Sequence, residues 1–305
     1  MSDLSNPIFH DAELAREWLE ARVWKDGRIC PHCGVVDQST LMKGKSHRPG
    51  LYQCNACREP FTVTVGTLYE RSKVPLNKWL MVTHLLMASK KGMSALQISR
   101  MIDLPYKTTW FLCHRIRASV ADTTDMKIGG KDKVVEADET YVGGKAKNRA
   151  HRDAAPKKAV LSLVERDGNV RSFHVANVTA KMVKPIIAKN VELASNLMTD
   201  EAPVYGKIGE TMHSHRTVNH SANEYARLGG YIHINTAENF FSILKRGIIG
   251  SYHHVSEAHL HRYLAEFDFR YNNRTITDAE RMSKSIGGIV GKRLTYRRVG
   301  EARVS

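Results

Sequence analysis

The chain has 305 residues, 42% hydrophobic and 25% charged. This excludes a disordered polyelectrolyte and leaves length for two or three domains with real cores. A net charge of +15 with a pI near 9.6 points to a polyanionic partner, most commonly nucleic acid. Five cysteines are too few for a secreted disulfide scaffold, and no apolar run approaches the roughly 20 residues that cross a bilayer.

The start, "MSDLSNPIFHDAELAREWLE", is acidic and amphipathic. It lacks the basic opening and apolar centre of a secretory leader, so a cytoplasmic protein is expected. Next come Cys30-Pro31-His32-Cys33 and, twenty residues on, Cys54-Asn55-Ala56-Cys57. A two-residue gap lets both thiolates of a knuckle reach one tetrahedral ion, and the second knuckle completes four sulfur ligands. Gly34 supplies the backbone freedom of the first turn. Short strand-like segments surround the knuckles, so a small ribbon holding one structural Zn²⁺ is expected, with His32 a bystander. A closed four-sulfur site leaves no position for substrate.

Apolar residues at helical spacing run from about Asn77 to Val120. "SALQISRMI" (Ser94–Ile102) opens with a capping serine, "DLP" breaks it, and "YKTTWFLCHRIRAS" resumes the pattern. Helix, short break, helix outlines a helix-turn-helix, whose second helix enters the major groove; an ordinary helical pair under a core is the plainer reading. On the first, Tyr106, Lys107, Thr108 and Thr109 lie at the groove-facing end. His114, Arg115 and Arg117 add charge further along, and Cys113 is a small core residue.

Beyond a polar, glycine-containing linker at Asp125–Lys133 the pattern becomes α/β. Val134–Asp138 reads as a first strand, and Lys157–Asn177 as a hairpin about Asp167-Gly168-Asn169. Thr179–Leu193 reads as a helix despite Pro185, Ser195–Glu201 as a fourth short strand, and His233–Gly250 as an amphipathic helix. Strand, hairpin, helix, strand and late helix is the order of a ribonuclease-H-like core.

That order brings Asp138 on the first strand beside Asp200 at the end of the fourth, with Glu238 on the late helix closing a third side. Clustered acids repel one another unless cations lie between them. Mg²⁺ or Mn²⁺ suits such oxygen ligands, and two ions about 4 Å apart stabilise both attacking and leaving oxygens of a phosphoryl displacement. Along the strand Asp138 shares a face with Glu136 while Glu139 points away; Asp138 is the expected ligand, with Glu136 in support. Asp200 is preferred to Glu201. Lys245, two turns after Glu238 on roughly the same face, suits a DNA phosphate near the metals, or with Arg246 it is a solvated pair at a helix C-terminus.

"VEADETYVGGK", "NLMTDEAPVYGKIG", "VNHSANEYAR" and "INTAENFFSILKRGIIGSYHHVSEAHLHRYLAEFDFRYNNR" resemble bacterial insertion-sequence transposases of the DDE class, in the ISXO-like group with an N-terminal zinc ribbon. The likeness runs from about Trp24 to Asn273. It implies a ribonuclease-H-like integrase fold with Asp138, Asp200 and Glu238 as the metal triad and Lys245 as the basic residue after its glutamate. Some relatives carry asparagine as third member, which keeps Asn235 and Asn239 in view. His220 either touches the site or caps a strand.

The expected architecture is therefore an N-terminal helix and zinc ribbon (1–70), a helix-turn-helix-like segment (71–125), a mixed-sheet catalytic domain (126–283) and a basic tail (284–305). The expected activity is a transposase that binds the terminal inverted repeats of its element, cleaves strands and joins them to target DNA. Tyr106, Lys107, Thr108, Arg115, Lys245 and Arg246 would touch DNA, and the protein would act in the bacterial cytoplasm at the nucleoid, as a homo-oligomer on DNA. The competing classes are a structure-selective nuclease and a non-catalytic regulator. Eight of the fifteen histidines lie between His213 and His261, but their spacing matches no common zinc motif. Arg262, Arg270 and Arg274 recur with Tyr263, Phe267 and Tyr271, the aromatics inward and the arginines toward DNA or local acids.

Overall fold

The computed structural model describes residues 3–143, 157–219, 224 and 226–295; His220 and the end of the basic tail lie outside them. The chain divides into two compact units. One comprises residues 1–89, 93–121 and 275–305, and the other residues 90–92 and 122–274.

In the first unit, helix α1 (Ala12–Val23) starts at Asp11, whose carboxylate accepts the Glu13 and Leu14 N–H groups, satisfying two of the donors that a helix start leaves open. The ribbon follows: β1 (Ser39–Leu41), β2 (Tyr52–Cys54) and β3 (Pro60–Phe61) pair antiparallel. Trp24, Tyr52 and Phe61 form an aromatic cluster behind it. Helix α2 (Leu76–Ala88) is buried on most of its circumference, from Trp79 to Met87, as expected of a helix apolar nearly all round.

Helix α3 (Ala95–Met101) is capped by Ser94, which accepts the Gln97 N–H. The break that follows places Asp103 at φ 50°, and α4 (Tyr106–Ser119) begins after Pro105. His114 and Arg117, expected to add outward charge, are instead buried at 0% and 1% exposure, on the side of α4 that packs inward with Leu112, Cys113 and Ile116. Helix α9 (Asp278–Gly287), opened by a capping box of Thr277 and Glu280, packs on α2, α1 and α4. Residues 275–283, grouped by sequence with the catalytic segment, thus belong to this unit.

The second unit is built on a five-stranded sheet. Its strands are β4 (Val134–Val142), β5 (Lys158–Glu165), β6 (Val170–Val175), β7 (Asn196–Asp200) and β8 (Ser214–Val218), in spatial order β6-β5-β4-β7-β8. β4, β5 and β6 pair antiparallel; β7 joins β4, and β8 joins β7, in parallel. Alternation along the strands divides the apolar residues between two faces. Val135, Ala137, Leu161, Leu163 and Leu197 face Val183 and Ile187 of α5 (Ala180–Asn190), Tyr205, and Ile208 of the short α6 (Gly206–Gly209). Val160, Val164 and Val170 face Phe240, Phe241 and Leu244 of α7 (Asn235–Gly247) and Leu260, Leu264 and Phe267 of α8 (Glu257–Asn272). A Cβ on Gly247 would lie 2.3 Å from the Phe267 ring and 2.5 Å from the Lys91 carbonyl, so only glycine fits there.

Two elements differ from expectation. The first strand runs on to Val142, because β5 pairs with it as far as Val142↔Lys158 while β7 pairs only through Glu136↔Met198. Asp138 is therefore mid-strand, just past the last β7 pair. The histidine-bearing stretch contributes β8, a fifth strand beyond those expected from the pattern.

The free edge of β6 is closed by side chains. Asn272 accepts the Val170 N–H and donates to the Val170 carbonyl, and Asp268 accepts both the N–H and the hydroxyl of Ser172. Four residues of helix rise about 6 Å and two residues of strand about 6.8 Å, so one helix face matches alternate edge groups and the edge is covered. Burial pushes the Asp268 carboxyl up to about 7, against the Ser172 bonds. The native state then holds a proton that the unfolded chain has lost above the ordinary 3.8, so this contribution to stability falls as pH rises from about 4 to about 7. Asp268→Asn should flatten that fall, on the order of a few kcal/mol, in urea denaturation across the pH range; an unchanged slope would refute the burial effect.

Candidate active site and metal centre

The four cysteines converge. Their sulfurs all lie within 4.8 Å of one another, with Cys30–Cys57 at 3.7 Å and Cys33–Cys54 at 3.6 Å. A tetrahedron with Zn–S bonds of about 2.3 Å has edges of about 3.8 Å, so the spacing fits zinc. Gly34 turns the first knuckle at φ 80°. The N–H groups of Cys57 and Ala56 hold the Cys54 thiol down to about 6. Although the Glu59 N–H favours its thiolate, burial and the neighbouring sulfurs push Cys57 up to about 12. Four thiolates at this distance need a cation between them.

The acidic site begins with Glu136, a fully buried carboxylate on β4. One oxygen accepts the Thr236 and Ala237 N–H groups at 2.8 and 3.0 Å. These are open donors of the first turn of α7, which has no side-chain cap of its own. The other oxygen accepts the Thr236 hydroxyl at 2.9 Å and the Arg166 Nε–H at 2.5 Å. Arg166 continues to the carbonyls of Tyr231 and His233. His233 Nδ1 accepts the Asn235 N–H, and burial beside Arg166 lowers its pKa, so its 3.2 Å approach to Glu136 is a contact of a neutral ring. A charge bonded on both oxygens satisfies the demand of burial. The same bonds seat α7 on the strand that carries Asp138.

Asp138 follows two residues later on the same face. Carrying the β4–β7 register on by two from Glu136↔Met198 sets Asp138 level with Asp200. Asp138 accepts the Glu139 N–H, and Asp200 accepts the Ala202 N–H. Glu238 lies in the first turn of α7, its side chain exposed beside exposed Asn235 and Asn239. Burial pushes Asp138 up to about 7 against the Glu139 N–H, and the charges of Glu139, Asp200 and Glu238 raise it further. Those acids are therefore within electrostatic reach of Asp138. Among the described residues only the cysteine group has all its ligand atoms within 4.8 Å; the carboxylate oxygens are spread more widely. The donor set is hard oxygen without imidazole or thiolate, which fits Mg²⁺ or Mn²⁺ rather than zinc.

Glu139 turns to the opposite face, where it accepts the buried Tyr205 hydroxyl. Burial raises the Glu139 carboxyl, opposed by that bond.

Two comparisons bear on this arrangement. Residues 129–272 match the ISXO2-like transposase domain and residues 11–59 the transposase zinc-ribbon domain. The chain is also 26% identical over 265 residues to a protein in transposable element ISH50 of Halobacterium salinarum, covering 81% of this chain and 86% of the relative. Over both segments the chain is thus similar to insertion-sequence transposases that carry a zinc ribbon.

The remaining sequence-expected residues fall in several places. Lys245 and Arg246 are exposed on α7, Lys245 on the stripe of Glu238 and Ser242, and Arg246 bonds the Ser242 carbonyl of its own helix. Tyr106 and Lys107 are exposed and Thr108 half-buried at the start of α4, whereas Thr109 is buried. Arg115 is spent on the Glu70 and Leu294 carbonyls. Arg270 is buried against Glu266, and Arg274 lies over Tyr271 and bonds the Gly168 carbonyl. Sequence reasoning missed Arg166 and Tyr205. Arg166 follows the first hairpin strand directly before the turn, and no local pattern marks it as the partner of Glu136. Among the described residues no helix is long and apolar enough to cross a membrane.

Two outcomes follow. Cys54→Ser or chelation should remove zinc from the ribbon and expose residues 28–61 to proteolysis; metal analysis paired with limited proteolysis reads both, and full protection after zinc loss would contradict the site. Glu136→Ala strands Arg166 and the α7 amides and should cost about 3–5 kcal/mol. Hydrogen exchange should then rise first at Thr236 and Ala237, and unchanged protection there would show that Glu136 does not seat the helix.

Proposed function

We propose that the transposase cleaves and joins DNA strands on the face carrying Asp138, Asp200 and Glu238, at the terminal inverted repeats of its element. The observation that carries this reading is the strand register that sets Asp138 level with Asp200, beside a helix that has Glu238 in its first turn and whose start is fixed by Glu136. Three acids so gathered on a strongly basic chain offer oxygen ligands for two Mg²⁺ or Mn²⁺ ions. Bound there, the ions would neutralise charge developing on the phosphoryl group.

The chain's own residues supply the rest. Asp138 and Asp200 sit at adjacent strand positions where the sheet opens, and Glu238 faces solvent, so a phosphodiester can approach from the α7 side. Lys245, on the exposed stripe of α7, draws the backbone phosphate next to the scissile one. Glu136 keeps α7 in register while its carboxylate, held on both oxygens, is kept from the ions. Strand cleavage uses water, and joining uses the freed 3′-hydroxyl as nucleophile on target DNA. Two element ends must be held together for joining, which calls for more than one copy of the chain.

Asp138→Asn, Asp200→Asn and Glu238→Gln should each lower Mg²⁺-dependent strand cleavage and transfer by at least about 10²-fold while leaving duplex affinity within about twofold. Labelled end DNA resolved on a denaturing gel reads all products. Retained joining in any one variant would sink the triad, cleavage without joining in the wild type would assign a nuclease, and binding alone would assign a regulator.

A further inference from the structure

A cavity of about 500 Å³ lies wholly within the first unit, between the segment Arg71–Val74 and the first turns of α4. Arg71, Lys73, Lys107 and Arg115 line it with Ser72 and Thr108, and no acid is in the lining. Arg71, Lys73 and Lys107 are exposed. Arg115 closes the back, its guanidinium on the Glu70 and Leu294 carbonyls and over the Phe111 ring. Burial, and then the charge of Arg293, lower its pKa against the pull of Glu70, so like charges press on one another at this spot.

The segment is held in shape. Ser72 Oγ accepts the Val74 N–H and the Trp79 indole N–H, and Arg71 adopts φ 56°, a left-handed conformation that an arginine keeps only where its surroundings impose it. Its side chain is 78% exposed and approaches Glu70 at 3.5 Å, a pairing of little worth in water. At the other wall, α4 has no side-chain cap, and its open first-turn N–H groups face the end occupied by Lys107 and Thr108.

We propose that this cavity seats a DNA-backbone phosphate, gripped by Arg71, Lys73 and Lys107, and that this contact fixes how α4 lies on the duplex. The proposal rests on the transposase reading and adds to it a positioning contact from the segment between ribbon and α2, which carries no recognition pattern of its own. Phosphates flank the groove that a recognition helix enters, and such contacts set register and orientation without reading bases.

The test measures fluorescence anisotropy of the zinc-loaded full chain on a labelled duplex through a salt series. Arg71→Ala/Lys73→Ala is compared with a charge-matched control, Lys181→Ala/Lys184→Ala, on exposed positions of α5. Each phosphate contact adds about 0.9 to the log–log salt slope. The cavity variant should therefore lose about 0.9 from its slope and bind about 10-fold more weakly near 0.1 M salt, with the control unchanged. Equal slopes in the two variants, with strand cleavage retained, would overturn the proposal and leave the transposase standing. No duplex binding by the wild type would overturn both. Tighter binding to single-stranded RNA of the same length, lost in the cavity variant, would reassign the cavity to another polymer.

Discussion

The second unit depends on one buried charge. Glu136 sits at 0% exposure in the middle of the sheet, where an unpaired carboxylate would cost several kcal/mol. It is tolerated because Arg166 and the amides of Thr236 and Ala237 converge on it. The charge therefore acts as a geometric constraint: strand, hairpin end and helix start must all reach one pair of oxygens. With the helix start fixed there, Glu238 cannot drift from Asp138, and Asp138 takes its level with Asp200 from the parallel pairing of β4 and β7. The cluster of acids on the surface is thus held by an acid inside.

The two faces of the sheet carry different tasks. On the α5 side Glu139 is tied to Tyr205 within an apolar core; on the α7 side Asp138 feels the charges of Asp200 and Glu238. Adjacent carboxylates at Asp138 and Glu139 consequently serve opposite sides, as alternation along a strand requires. α8 adds a further restraint, because Asp268 and Asn272 take up the edge groups of β6 that would otherwise invite another strand.

Legibility in the sequence follows the range of the interaction. The ribbon was plain because knuckle spacing is a local property of Cys30, Cys33, Cys54 and Cys57, and the sulfurs do meet. The hairpin around Asp167-Gly168-Asn169 was plain because its turn is local too. β8 escaped notice because, of Ser214–Val218, only Val218 is buried, too little to produce alternation. His114 and Arg117 misled because charge was read as outward-facing, whereas α4 packs both inward. The bond between Arg166 and Glu136 spans thirty positions and leaves no periodic trace. The acids could be ordered from the strand and helix succession; what holds them in place could not.

The first unit is discontinuous in the chain, since residues 275–305 return to it after the second unit is complete. During synthesis the sheet and its helices can finish as a body by Arg274, while α1, α2 and α4 still await α9. A nascent or prematurely terminated chain ending near Arg274 would thus contain every acid of the candidate cutting centre, yet present the ribbon and α4 on an unfinished core. Termination at that point would leave the acids assembled ahead of the core that α9 completes.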